Sequence, residues 1–527
     1  MIIECGQTRL PQFSTFIKPI TMKLFFSITI ACLYFFQPGF AQTNQVPAKK
    51  RTHNSLFFRP VKTGKMWDTW MYYHNNSFYL YYLNAKDTLQ SGVGNIIYDG
   101  IGLAISRDGV SWEEKGIVLS KSDSAKGMGT GSVWELKSKK GAEKYIMNFS
   151  ESRGNDSTGQ QCIFFASSDN LVHWTRLEKR FIPDSSLYKI NKGLESRWDC
   201  IYSITKPGGG RYGYWTANPK DLQPGLGFGE TSNGLDWAAL PPPVIDWEGQ
   251  DKLPLIEVGA VEQINGKYYA MMASYIRYNG HRGMFTLESD SPKGPFRPSK
   301  KNFKLLTSPP DCSFTYFNRF FRYKGEVLVN HQTLGHNDEV YFGLLKKAMI
   351  DKEGTLRLGY WPGNERLKGK KIELETIVIN KDSLISFLSK PLETDNGVIL
   401  EGDFPTLRSN EKSALYIKCE TNKGIAVFLK ANGQVEFSEH GEEDVNFIVN
   451  DKIDRQMKFS STPHFKLFLK QSLLELYIDN ILIQCYTLPD KATGEIGIVS
   501  EFAYIKNLAA WEVKSKKTIS SRQPFTH

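Results

Sequence analysis

Trp67-Asp68-Thr69-Trp70 leads into Phe78-Tyr79-Leu80-Tyr81-Tyr82, and Arg197-Trp198-Asp199-Cys200 leads into Arg211-Tyr212-Gly213-Tyr214-Trp215. Ile256-Glu257-Val258-Gly259 leads in the same way into Lys267-Tyr268-Tyr269. By the numbering, the acid precedes the aromatic-rich strand by 10, 12 and 10 residues. One such acid carries no meaning. Three in the same relation to a strand mark equivalent places of a repeated unit, where the carboxylates of Asp68, Asp199 and Glu257 can meet at one axis.

A second marker tests the repeat. Ser106-Arg107-Asp108-Gly109-Val110-Ser111-Trp112 recurs as Ser168-Asp169-Asn170-Leu171-Val172-His173-Trp174 and as Ser232-Asn233-Gly234-Leu235-Asp236-Trp237. A degenerate copy runs from Ser289 to Phe296. The closing aromatics at 112, 174, 237 and 296 lie 62, 63 and 59 residues apart. Strand starts at 78, 144, 211, 267 and 325 keep a similar step. Short strands with Gly/Asn/Asp turns at such a period indicate a propeller of four-stranded blades. Five starts predict five blades, and the chain is expected to be all-β. Each Ser-Asp-Gly-type segment is expected to turn an outer hairpin and to pack its Trp between blades.

The chain has 527 residues, 13% of them aromatic, which is too long for one ordinary core. Met22-Lys23, the apolar run Leu24 to Phe36 and the small-residue site Gly39-Phe40-Ala41 form an export signal. It is too short for a comfortable membrane span. Residues 1–41 are therefore expected to be removed, with Met22 as an alternative start and cleavage at Ala41 preferred over a lipoprotein site at Cys32. A periplasmic or extracellular location follows, with no stable membrane insertion. Loss of Arg9, Lys18, Lys23 and Glu4 takes the formal charge from +10 to +8. That balance suits acidic glycans, and general solubility explains it equally well. No basic run interleaves with stacking aromatics, which argues against nucleic acid. Cys162, Cys200, Cys312, Cys419 and Cys485 remain, an odd number without metal-type spacing, most of them expected as buried thiols.

The propeller pattern, and with it the expected catalytic domain 42–365, ends near Leu356 to Gly363. A charged stretch from Glu365 to Lys371 suggests a linker over 366–374. From 375 to 515 longer alternating strands such as Ala414–Cys419, Gly424–Leu429 and Leu473–Asp479 predict an antiparallel β-sandwich, followed by a tail over 516–527. Its acids Glu439, Glu442, Glu443 and Asp444 cluster without a neighbouring Trp or Tyr, so the domain is read as a brace.

A five-bladed propeller with three axial acids followed by a sandwich resembles the family 32 glycoside hydrolases, and the propeller alone is similar to families 43 and 130. Glu257 with Asn265-Gly266-Lys267-Tyr268-Tyr269 resembles the acid-bearing strand of family 43. Gly131-Ser132-Val133-Trp134 resembles a sugar-binding turn of blade two, and Leu474 to Asn480 a sandwich strand of family 32. The chain departs from the family 32 pattern at each acid. Trp67 and Thr69-Trp70 flank Asp68 in place of Asn and Pro-Asn, Trp198 separates Arg197 from Asp199, and Val258 stands where Cys follows the acid. In family 43 a blade-five His helps hold a central cation, and His331 falls in a comparable place. No cofactor is expected, and an axial structural cation is left open.

Cleaving a glycosidic bond needs a proton for the leaving oxygen and a carboxylate at the anomeric carbon. Glu257, followed by apolar Val258, suits the donor, whose pKa burial and neighbouring acids would raise. Asp68 suits nucleophile or base, and Asp199 beside Arg197 suits an ionised group holding sugar hydroxyls. Trp67, Trp70, Trp134, Trp198 and Trp215 are candidates for a stacking floor, with blade packing as the alternative role. Ser132, Arg197, Arg319 and His331 are candidates for binding substrate, the arginines and His331 for a carboxylate or sulfate. The expected activity is hydrolysis of an oligo- or polysaccharide. The alternatives are β-elimination on a uronate, phosphorolysis, and sugar binding without catalysis.

Overall fold

The computed structural model describes residues 56–86, 97–137, 143–153, 161–190, 197–222, 224–309, 312, 315–335, 339–375, 383–441, 446–499 and 504–514. The expected export signal over 1–41 and the expected tail over 516–527 lie outside them. Among the described residues no helix is long and apolar enough to cross a membrane.

Blade one is the meander β1 (Lys65–His74), β2 (Ser77–Ala85), β3 (Gly100–Ser106) and β4 (Glu113–Ser120). Blade two follows as β5 (Ala125–Lys137), β6 (Glu143–Arg153), β7 (Gln161–Ser168) and β8 (Thr175–Phe181). Blade three is β9 (Trp198–Thr205), β10 (Arg211–Ala217), β11 (Gly227–Thr231) and β12 (Ala238–Leu240). Blade four holds β13 (Glu257–Ile264), β14 (Lys267–Tyr278), β15 (His281–Ser289), β16 (Arg297–Pro298) and β17 (Lys304–Ser308). Blade five holds β18 (Thr315–Tyr323), β19 (Glu326–Leu334), β20 (Val340–Phe342), β21 (Lys346–Ile350) and β22 (Leu356–Tyr360). The first strands touch in the ring β1, β5, β9, β13, β18 and back to β1, which closes five blades around an axis. Phe58 bridges Phe342, so the segment before blade one also grips blade five.

The repeated turns lie between the third and fourth strands of their blades. Ser106 Oγ accepts from Gly109 N at 2.9 Å, and Asp108 Oδ1 accepts from Ser111 N at 2.7 Å. Ser168 and Asn170 make the equivalent bonds in blade two. Their closing aromatics pack on the preceding blade as expected. Trp112 meets Phe342 at 5.3 Å, Trp174 meets Tyr81 at 5.9 Å, and Trp237 meets Trp134 at 5.7 Å. Phe296 meets Tyr214 at 6.3 Å. A hydrogen bond repeats beside them: Tyr81, Trp134, Tyr214 and Tyr269 each donate to a turn carbonyl of the next blade, at Leu171, Gly234, Pro292 and Gly354.

The C-terminal region is a sandwich. One sheet continues from β22, where Gly359 pairs with Ile481, through Ile481–Thr487, Leu473–Ile478, His464–Lys470, Val398–Asp403, Lys506–Val513 and Lys368–Ile372. The other holds six strands from Ile385–Phe387 to Ile448–Ile453. Leu467 and Leu476 from the first sheet and Ile417 and Val427 from the second share one core. The stretch expected as a linker is instead largely a strand, Lys368–Ile372, paired with Lys506–Val513. Within it Lys368 reaches Glu401 at 2.7 Å, as does Lys466 of a neighbouring strand, while Lys370 and Lys371 are exposed. The face of the first sheet opposite its partner lies on the propeller, with Tyr360 6.0 Å from Phe468 and 5.3 Å from Tyr477. Of the predicted acidic cluster, Glu439 pairs with Lys423, and residues 442–445 lie outside the described residues. Cys162, Cys200, Cys419 and Cys485 are buried free thiols, and Cys312 is half-buried.

Candidate active site

Each first strand carries a bulge at the same height. The register slips between Trp67 and Thr69 in β1, between Met128 and Gly131 in β5, opposite Trp215 in β9, between Val258 and Ala260 in β13, and between Tyr316 and Arg319 in β18. Three of these kinks hold non-glycine residues in the left-handed region, Asp68 at φ +36°, Cys200 at +38° and Phe317 at +56°. Backbone held there is costly and persists only when its surroundings enforce it. A bulge re-aims side chains. Here it sets Asp68 at the kink, Asp199 one residue before one, and Glu257 two residues before the third.

The three carboxylates converge. Arg197 Nη2 donates to Asp199 Oδ2 at 3.0 Å, and its Nη1 lies 2.6 Å from Glu257 Oε1. Asp68, half-buried at the floor, accepts hydrogen bonds from Thr130 Oγ1 and from Gln332 Nε2, the latter at 3.1 Å. Burial pushes its carboxyl up to about 7, and the charges of Glu257 and Asp199 add to the rise against those two donors. Burial also raises Glu257, while Arg197 works against the rise. Ser150 donates to Asp199 Oδ1. Two of the three carboxylates thus share one guanidinium, and Asp68 has only neutral donors.

The preceding blades hold the backbone beside each acid. Val258 N donates to Thr216 Oγ1 at 2.9 Å, and Ile201 N donates to Asn148 Oδ1 at 2.8 Å. Asn330 Nδ2 donates to Thr69 O at 3.1 Å. Thr216, Asn148 and Asn330 all lie in second strands. Tyr98 and Tyr275, both half-buried, feel the charges of Asp68 and of Glu257 respectively. Neither was singled out from sequence, because both lie at strand ends without a motif.

Several sequence candidates fall elsewhere. Trp67 is half-buried and stacks on Tyr316 at 6.0 Å, beside Asp68. Trp70, Trp134, Trp198 and Trp215 are fully buried between blades and offer no stacking face. Trp198 donates to Phe181 O at 3.0 Å and meets Trp215 at 5.0 Å. Ser132 ties blade two to blade three through Ile201 O and Asn148. Arg319 is buried in the axis with its donors on the protein itself. His331 is on a second strand and points into the sandwich contact, 3.1 Å from Glu475. It forms, with Glu475 and Cys485, a metal-type grouping, and Lys346 Nζ sits within it, 2.6 Å from His331 Nε2 and 2.7 Å from Glu475 Oε2. An ammonium already occupies the place a cation would take, and the cluster lies off the axis.

Residues 68–191 match the family described as the glycosyl hydrolases family 32 N-terminal domain, in a match that opens on Asp68. Over these residues the chain resembles that family, which supports a place as a divergent relative of the five-bladed propeller glycoside hydrolases. Solved structures agree in fold at low identity. The exo-inulinase of Aspergillus awamori is 14% identical with a TM-score of 0.62, covering 88% of this chain and 99% of that one. The sucrose-6-phosphate hydrolase of Lactobacillus gasseri is 13% identical with a TM-score of 0.65, covering 88% and 93%. The β-fructofuranosidase BmSUC1 of Bombyx mori is 12% identical with a TM-score of 0.63, covering 88% and 94%. No curated protein matches in sequence.

Proposed function

We propose that this glycoside hydrolase is exported and cleaves an oligo- or polysaccharide with Asp68 at the anomeric carbon, Glu257 as proton donor and Asp199 as the acid that holds sugar hydroxyls. The observation that carries this reading is the shared guanidinium. Arg197 binds Asp199 and Glu257 together, beside an Asp68 that feels both. A sugar entering the site excludes water and offers hydroxyls to Arg197 and Asp199. As Arg197 turns toward them, Glu257 loses its counter-charge and burial raises its pKa further, readying it to protonate the leaving oxygen. Trp67, Tyr98 and Tyr275 supply an apolar rim for a pyranose or furanose face. Fructosides are the first substrates to test, since the structurally similar enzymes named above are an inulinase and a fructofuranosidase.

One observation favours exchanged roles. Burial pushes the Asp68 carboxyl up to about 7 as well as raising Glu257, so Asp68 also suits a group that carries a proton near neutral pH. A leaving-group experiment separates the two. An aryl glycoside with a good leaving group needs no acid, so a donor variant still cleaves it and a nucleophile variant does not. With Glu257 as donor, Glu257→Gln loses about 10²–10⁴-fold on natural glycosides and keeps activity on the aryl substrate. The opposite pattern assigns the proton to Asp68. Screening fructans, arabinans, pectins and sulfated algal glycans comes first, and inactivity on all of them would remove the hydrolase reading.

Elimination on a uronate would draw on tyrosines such as Tyr98 and Tyr275, since its other candidate residues are engaged elsewhere. His331 lies at the sandwich contact, Arg319 is turned onto backbone carbonyls, and Arg197 is engaged by two carboxylates.

A further inference from the structure

We propose that Arg319 is a positioning residue for the carboxylate triad, a guanidinium set in the propeller axis that ties together the kinks of blades two, three and four. The inference rests on the hydrolase reading for its kinetic consequence and on geometry for the rest. Arg319 follows the kink of β18 and is 1% exposed. Its Nε donates to Gly259 O at 2.9 Å and its Nη1 to Gly131 O, while Nη2 lies 3.8 Å from Cys200 Sγ. Each partner adjoins a site residue: Gly131 follows Thr130, the donor to Asp68; Cys200 follows Asp199; and Gly259 is two residues after Glu257. One side chain thus reaches a residue next to Asp199, one two places from Glu257 and one next to the donor to Asp68.

Both carbonyls belong to glycines packed against neighbouring backbone. A Cβ on Gly131 would lie 2.3 Å from Asn148 O, and one on Gly259 would lie 2.5 Å from Asn318 O. The guanidinium is also sandwiched, 5.2 Å from the Phe317 ring and 5.7 Å from that of Tyr202. A planar fork with donors in three directions suits this place; an ammonium on a flexible stem does not. Charge matters as well as shape. The Cys200 thiol, one residue from Asp199, senses Arg319 as well as Asp199, Asp68 and Arg197. On its other side Arg319 lines a cavity of about 430 Å3, bordered also by Tyr72, Tyr202, Arg211 and Glu262. The side chain therefore lies between the acids and this space, like a plug.

The experiment compares Arg319→Met, which keeps length and loses charge and donors, with Arg319→Lys, which keeps charge and loses the fork. Melting temperature, kcat, KM and the pH–rate profile are measured for each on the substrate found by screening. Arg319→Met is expected to lower kcat by about 10–100-fold with KM within about threefold, since small misplacements of reacting groups cost that much. Its acidic limb should move up by about half to one pH unit, because losing a cation disfavours ionised carboxylates. Arg319→Lys should restore the limb more fully than kcat. A lowered melting temperature with wild-type kcat and pH profile would overturn the proposal and leave Arg319 a packing residue. If Arg319→Met does not fold, Cys200→Ala removes one contact alone; it should lower kcat a few-fold, and unchanged kcat overturns the proposal. If the wild type hydrolyses nothing, the hydrolase reading fails by itself. Titration of the Asp and Glu carboxyls by ¹³C NMR then decides the positioning claim, which requires upward shifts at Asp68 and Asp199 in Arg319→Met and is overturned by their absence.

Discussion

Asp68 and Glu475 are both carboxylates set deep in the protein, and their surroundings push them in opposite directions. Glu475 is held at about 2 and Asp68 rises to about 7. Burial acts upward on both, so the difference lies in the partners. Glu475 is 0% exposed and accepts from Leu344 N at 3.0 Å, Lys346 Nζ at 2.7 Å and Tyr477 Oη at 2.8 Å. Three donors meet its oxygens and Lys346 cancels its charge. Burial and Lys346 keep His331 neutral beside them. Asp68 has two neutral donors, two acidic neighbours and no cation within ion-pair distance among the described residues. A saturated buried ion pair joins two domains. An under-compensated group of acids sits where a substrate can supply what is missing.

The largest test of that contrast is Asp68→Asn. Turnover is expected to fall by about 10³-fold or more, since the amide can serve neither as nucleophile nor as base. Stability should move the other way. A carboxyl raised from an ordinary value near 4 to about 7 binds its proton more tightly folded than unfolded, so it costs stability increasingly as pH rises across that window. Asp68→Asn should therefore melt higher than wild type at pH 8, by up to about 4 kcal/mol, and about equally at pH 4. Equal melting at both pH values would show that Asp68 is not strained by its charge.

Glu475→Gln reverses the expectation. It leaves Lys346 buried without its counter-charge, which costs about 3–5 kcal/mol. The wild-type contribution is present above the unfolded value near 4.5 and is lost as pH falls toward about 2, so the gap between variant and wild type should close in acid. Folded Glu475→Gln should keep the wild-type pH–rate profile. Thermal melts across pH with activity on the folded fraction check both halves. A shifted profile would mean that the sandwich contact tunes the acids.

The same contrast explains what could be read from the sequence. Turn chemistry is local, so Ser106, Asp108 and Gly109 with their closing Trp112 announced both the blade repeat and its packing. The acids were legible because their spacing repeats. The side-chain directions were not. Alternation along a strand reverses across a bulge, and each first strand carries one at the height of the acids. Trp67 therefore stays beside Asp68 while Trp70, three residues on, packs between blades. Arg319 was read as a substrate ligand because sequence does not tell whether a guanidinium meets solvent or carbonyls. His331 was placed at the axis by analogy, although its strand is second in the blade and its partners, Lys346 and Glu475, come from 15 and 144 residues away. The charged stretch from Glu365 to Lys371 suggests a linker, whereas Lys368 within it pairs with Glu401 two strands away in one sheet.

The smallest effect is the sharpest probe of how the acids are held. Thr216 pairs with Asp199 across β9 and β10, and its Oγ1 accepts from Val258 N, next to Glu257. One hydroxyl thus touches the settings of two acids without touching substrate. Thr216→Val keeps the shape and leaves a buried N–H without an acceptor, for a loss of about 1–3 kcal/mol. If that hydrogen bond sets the direction of Glu257, kcat should fall by about tenfold with KM nearly unchanged. Thr216→Ser, which keeps the acceptor, should recover most of both. The comparison between regions decides how to interpret a failure. At the Glu475 contact a lost hydrogen bond is expected to change stability alone, so a Thr216→Val protein that melts lower but turns over normally would place Thr216 with the bracing groups, and the orientation of Glu257 would rest on Arg197 and the kink at Gly259.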